Sequence, residues 1–116
     1  ACLFHQITRV QPKPLVWVFS GYELVQDAGF EVCGDHAGRW ETSLLMALDP
    51  GMQDLNVLRQ SDRPPIGASN NDILRASPEF GEQAVAAIVE KVASVIQELL
   101  QNHNKYIGHG APIFLK

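Results

Sequence analysis

His36 and Glu41 are the residues of this chain best suited to moving a proton. They lie in the stretch Gly34-Asp35-His36-Ala37-Gly38-Arg39-Trp40-Glu41-Thr42-Ser43, which runs directly into Leu44-Leu45-Met46-Ala47-Leu48. Imidazole titrates near neutrality, so a histidine at a turn can take up or deliver a proton during hydrolysis. The turn feeds a helix, and helix N-terminal N–H groups and the helix dipole favour a bound anion or a polarised substrate. The plain alternative is a histidine that only hydrogen-bonds its own turn.

Three neighbours extend the candidate site. A helix that begins near Gly38 or Arg39 puts Glu41 in its first turn, where the carboxylate could orient the imidazole, touch a metal or hold a substrate amine. It could equally satisfy free backbone N–H groups, a contribution of about 0.3–1 kcal/mol. Asp35 could anchor a cationic or N–H-bearing substrate, or act as the helix N-cap. Tyr22 follows an apolar run at the end where open α/β sheets place ligands, and its ring could stack on a flat substrate or simply pack. Thr42 and Ser43 have no base nearby in sequence and are expected to bond back to the preceding turn.

These residues need elements to position them. Pro12-Lys13-Pro14 is a rigid spacer before Leu15-Val16-Trp17-Val18-Phe19, a β-rich run apolar on both faces that predicts a covered strand. A short helical segment begins at Tyr22 and closes at Gly29. Phe30-Glu31-Val32-Cys33 and Leu55-Asn56-Val57-Leu58 are further candidate strands, and Ile113-Phe114-Leu115 is a candidate edge strand or docking arm. Trp40, Leu44, Leu45 and Leu48 space as a helix that Asp49-Pro50-Gly51 ends. Residues 61–76, rich in Pro, Gly, Ser, Asn and Asp, predict a long loop of the kind that often carries function. Ser77-Pro78 then supplies an N-cap and an N1 proline to a long amphipathic helix over about 78–103, roughly 39 Å at 1.5 Å per residue. Trp17 and Trp40 are expected in the core.

Composition bounds the rest. The 116 residues suffice for one small domain, here 1–116. Hydrophobic content of 46% and charged content of 19% are ordinary for a folded chain. A formal net charge of -4 and scattered basic residues leave no footprint for nucleic acid or an anionic membrane. No apolar run approaches the roughly 18 residues of a membrane span. Cys2 and Cys33 are too few for a disulfide framework and are read as reduced thiols of a cytoplasmic protein. His5, His103 and His109 have no ligand spacing, so the chain's own residues predict no metal site. A long helix with a broad apolar stripe and only three short strands looks like part of a layered α/β domain.

The pattern His36-Ala37-Gly38-x-x-Glu41-Thr42-Ser43-Leu44-Leu45-Met46-Ala47-Leu48-x-Pro50 resembles the signature of the creatininase (creatinine amidohydrolase) family, H-[AG]-G-x-x-E-T-S-L-M-L followed by a proline. Leu15 to Val25 is similar to the family's strand leading to an aromatic that covers the substrate. Ser77-Pro78-Glu79-Phe80-Gly81-Glu82 is similar to its A-x-x-E-K-G-E opening of the final helix. The resemblance spans roughly residues 1–104.

It implies an α/β sandwich of creatininase type, of which this chain is the C-terminal portion. It also implies a metal-dependent hydrolase of C–N bonds in small cyclic amides, formamides or related substrates, usually oligomeric. His36 would be the proton donor and acceptor, Glu41 would support the site or touch the metal, and Asp35 and Tyr22 would face the substrate. Tyr22 stands where creatininase has tryptophan, a departure from the family pattern that bears on creatinine as the substrate. The resemblance implies core metal ligands from an early E-x-H segment, an aspartate shortly after it and an H-G-G-N or H-Y-E-N segment, all N-terminal to the region matched here. Zinc, manganese or iron would therefore be anchored by an N-terminal half or a partner chain, and the isolated chain would be inactive. The alternative is a non-catalytic half-subunit that serves assembly.

Overall fold

The computed structural model describes residues 15–31, 33–69 and 71–106. Five α-helices follow one another among them: α1 Gly21–Leu24, α2 Arg39–Leu48, α3 Asn56–Arg59, α4 Pro78–Gln101 and α5 His103–Tyr106. A 3-10 turn, Asn71–Arg75, lies between α3 and α4. No strand occurs among the described residues, so the expected layered α/β sandwich is overturned in favour of a helical architecture.

Each expected strand that falls among the described residues has a physical reason for its absence. An extended segment persists only beside a neighbour that takes up its N–H and C=O groups. Residues 15–20 form no regular element, and Leu15 and Trp17 pack instead on Val95, Leu99 and Tyr106. Phe30 lies outside any element and inserts its ring between Trp40 and Phe80. Leu55 is buried where α3 begins, and Asn56–Arg59 turns as a helix, with the Asn56 N–H donating to Asp54 Oδ1 at 2.9 Å. The Ile113–Leu115 candidate, together with Cys2, His5 and His109, lies outside the described residues.

The two longer helices form as their sequences predict. Ser77 Oγ accepts from the Phe80 N–H at 3.2 Å, and Pro78 occupies the first turn of α4, where no N–H is needed. The helix runs 24 residues, and Asn102 separates it from α5, two residues short of the expected end at 103. Helix α2 begins after Gly38 and stops at Asp49, ahead of Pro50.

Helix α4 is the spine on which two apolar clusters hang. Near its start, Ala84 packs with Val25 and Trp40, bordered by Phe30, Leu44, Phe80 and Ile88. The rings of Phe30, Trp40 and Phe80 meet edge-to-face, with centroids 5.4, 5.7 and 6.1 Å apart. That geometry aligns ring edges with ring faces of opposite partial charge. Near its end, Val95 and Leu99 pack with Tyr106 of α5, whose hydroxyl donates to Glu98 at 2.8 Å. The opposite side of α4 is unpartnered among these elements: Val89, Ile96 and Leu100 are all exposed. The radius of gyration, 18.4 Å, exceeds the ~13 Å of a compact chain of about a hundred residues.

Candidate functional site

The His36 turn is built by its neighbours' backbone demands. Gly34 has φ +74, a left-handed conformation, and the Tyr22 ring lies against its α-carbon. A β-carbon there would come within 2.7 Å of that ring. Cys33, one residue earlier, donates its thiol to the Tyr22 carbonyl at 3.2 Å. Partial burial pushes the Cys33 thiol up from its ordinary range, which keeps it protonated at neutral pH. Tyr22 thus flanks the turn with a half-exposed ring, anchored from below by Cys33.

Asp35 caps α2. Its Oδ2 accepts from the Trp40 N–H at 2.7 Å and its Oδ1 from the Glu41 N–H at 3.1 Å. The N-cap position itself is Gly38, and Asp35 reaches these donors from three residues earlier. Both oxygens satisfy helix donors that have no intrahelical acceptor.

Glu41 reaches back over the turn. Its Oε2 accepts from the Ala37 N–H at 2.8 Å and lies 3.8 Å from His36 Nδ1. Ala37 has φ 49, a left-handed conformation that costs a non-glycine residue about 1–2 kcal/mol. The carboxylate contact offsets part of that strain. The imidazole of His36 is 81% exposed. It is therefore neither sealed in the core nor hydrogen-bonded to its own turn, and it stands beside a carboxylate at a helix mouth.

The expected loop over 61–76 is interrupted by the 3-10 turn Asn71–Arg75, and its earlier part closes on the His36 turn at Ser69. Ser69 N–H donates to the His36 carbonyl at 2.8 Å, Ser69 Oγ donates to the same carbonyl at 2.9 Å, and the His36 N–H donates to Ser69 Oγ. The loop's far end is tied by charge. Arg75 donates to both Glu31 oxygens at 3.3 and 3.2 Å, and Arg39 donates to Glu31 Oε2 at 2.7 Å. Those two guanidinium groups, Arg39 foremost, hold the Glu31 carboxyl below the usual carboxylate range. Arg39 also stacks over the Phe80 ring at 4.3 Å, which joins the charged cluster to the aromatic core.

Thr42 and Ser43 are buried in α2. Ser43 does not bond back to the preceding turn as expected. Its hydroxyl accepts from the Ser77 N–H at 3.1 Å and so ties α2 to the start of α4. Sequence inspection also leaves out Ser69, Glu31 and Arg75. The Ser69–His36 contacts span 33 residues and the Arg75–Glu31 pair spans 44, and no local spacing announces either.

Among the described residues, no three His, Cys, Asp or Glu side chains converge as a metal site. Asp35 accepts from two N–H groups of α2, and one Glu41 oxygen accepts from the Ala37 N–H. Three clefts are lined by other described residues: one of about 360 Å³ between Leu24, Ala28, Ala87 and Lys91, one of about 440 Å³ among Leu58, Pro65 and Leu74, and one of about 460 Å³ among Leu100, His103 and Lys105. No helix among the described residues is long and apolar enough to cross a membrane. No protein-family model, curated protein or solved structure matches the chain.

Proposed function

We propose that this chain carries the proton-transfer half of a metal-dependent amidohydrolase site, with His36 as the proton donor and acceptor. The observation that supports it is the exposed imidazole of His36 with Nδ1 3.8 Å from Glu41 Oε2, at a turn fixed on both sides. Hydrolysis of a C–N bond needs water added to the carbonyl or imine carbon and a proton delivered to the departing nitrogen. His36 takes the first proton and supplies the second. Glu41 Oε2 faces the ring from 3.8 Å while it carries the proton between those steps. Asp35 holds the mouth of α2 in place, and Tyr22 offers a ring face to a flat substrate.

In this reading zinc, manganese or iron is anchored by residues outside the described ones, on an N-terminal half or a partner chain. The similarity of the His36 to Pro50 pattern to the creatininase signature supports the choice of reaction; the fold does not enter into it. The substrate class is a small cyclic amide or formamide. The test uses material purified from its natural source, loaded with each ion and assayed for ammonia, amine or formate release. Ion-dependent release from at least one such amide supports the reading, and no release from any of them rejects it.

A second reading, a non-catalytic subunit serving assembly, is favoured by the exposed Val89, Ile96 and Leu100 along α4. Mass spectrometry of the native material separates the two. A co-purifying polypeptide with an E-x-H segment favours hydrolysis, and a lone or self-associated chain favours assembly.

A further inference from the structure

We propose that Ser69 is a positioning residue for His36, an inference that rests on the proton-transfer role given to His36 above. One serine takes up both backbone polar groups of the histidine. Its N–H and its hydroxyl both donate to the His36 carbonyl, at 2.8 and 2.9 Å, and the same hydroxyl oxygen accepts from the His36 N–H. The next peptide is held from the other side, by Glu41 on the Ala37 N–H at 2.8 Å. Between these clamps the backbone of His36 has little freedom, and only the two side-chain torsions remain to aim the imidazole.

Location argues that the consequence is local. Ser69 is exposed and belongs to a loop whose Ile66, three positions earlier, is 100% exposed. Exposed hydrogen bonds add little to global stability, because water replaces them when they break. A contact of that kind does little for the core yet fixes the one residue whose placement the chemistry needs. Proton transfer is sensitive to placement of the group within hydrogen-bond reach of the reacting atom. Arg75, at the end of the 3-10 turn, pairs with Glu31, which Arg39 of α2 also holds.

The test uses the full chain, isotope-labelled, with no substrate present. Ser69→Ala removes the hydroxyl, Ser69→Thr retains it, and Ser61→Ala is a loop control that breaks only contacts with Arg63. Amide hydrogen exchange at His36 and the coupling constants that report its backbone φ are measured for each. Ser69→Ala is expected to speed His36 exchange at least tenfold and to average its φ, with Ser69→Thr restoring both and Ser61→Ala leaving both unchanged. Exchange within twofold of the parent and an unchanged φ in Ser69→Ala overturn the proposal. The same disturbance in Ser61→Ala also overturns it, because that marks general loosening of the loop. These readouts involve no turnover, so failure here is distinct from failure of the hydrolase reading.

Discussion

The carbonyl of Ser43 occupies the space in which a β-carbon on Gly81 would stand. Helices α2 and α4 approach most closely at that point, and the Ser43 hydroxyl receives the Ser77 N–H beside it. The crossing sets where α2, and therefore the His36 turn at its mouth, lies against the long helix. Because the obstacle is backbone, it cannot swing aside as a side chain would.

Gly81→Ala is accordingly expected to destabilise the chain by about 3 kcal/mol or more, the upper part of the range for overpacking a buried contact. Gly67→Ala is the control. Gly67 has φ +92 with open space around it, so its substitution carries only backbone strain of about 1–2 kcal/mol. Urea unfolding of both variants measures the difference. Equal midpoints would show that the crossing is looser than described.

Glu31 makes part of the stability depend on acid. Its carboxyl is held below the ordinary 4.5 by Arg39 first and Arg75 second. A group with a depressed folded-state value contributes stability that is complete above its unfolded value and is lost as pH falls through the folded one. Thermal stability should therefore decline as pH drops below 4.5, and Glu31→Gln should decline less steeply while starting lower at neutral pH. Glu98, also held low, chiefly by the Tyr106 hydroxyl, leaves some acid dependence in that variant. Added salt should narrow the gap at neutral pH, since the Glu31 carboxylate is exposed and its ion pairs are screened. Parallel pH profiles for parent and variant would remove Glu31 from the account.

Metal binding by the chain alone should be weak. Zinc or manganese titrated into the 116-residue chain in a calorimeter is expected to show no stoichiometric site of micromolar affinity or tighter. His36 and Glu41 supply too few free donors, with Asp35 engaged by the Trp40 and Glu41 N–H groups. A tight one-to-one site would mean that the chain holds its own ion.

Local signals made the long helix and the turn legible. Ser77-Pro78 marks the start of α4, the apolar period carries it onward, and Pro50 limits α2. The proximity of His36 and Glu41 also followed from spacing alone, because the first helical turn brings the carboxylate back over its own entry. The strands were misread for a physical reason. Short apolar runs such as Leu15 to Phe19 have no period that separates a covered strand from an irregular segment laid on a helix. In this chain Trp17 packs on Val95, Leu99 and Tyr106, and no described residue supplies a strand partner. Ser69, Glu31 and Arg75 were illegible because each meets its partner through chain reversal, and charge or hydroxyl identity alone names no partner.

The central claim is that the His36 imidazole carries the proton in hydrolysis, and the most direct test is kcat of His36→Gln in the metal-loaded native assembly. Gln keeps polarity and approximate size but cannot exchange a proton near neutral pH. The account predicts a fall of about 10²–10⁴-fold, partly restored by added imidazole. A kcat within threefold of the parent, with imidazole having no effect, would contradict it.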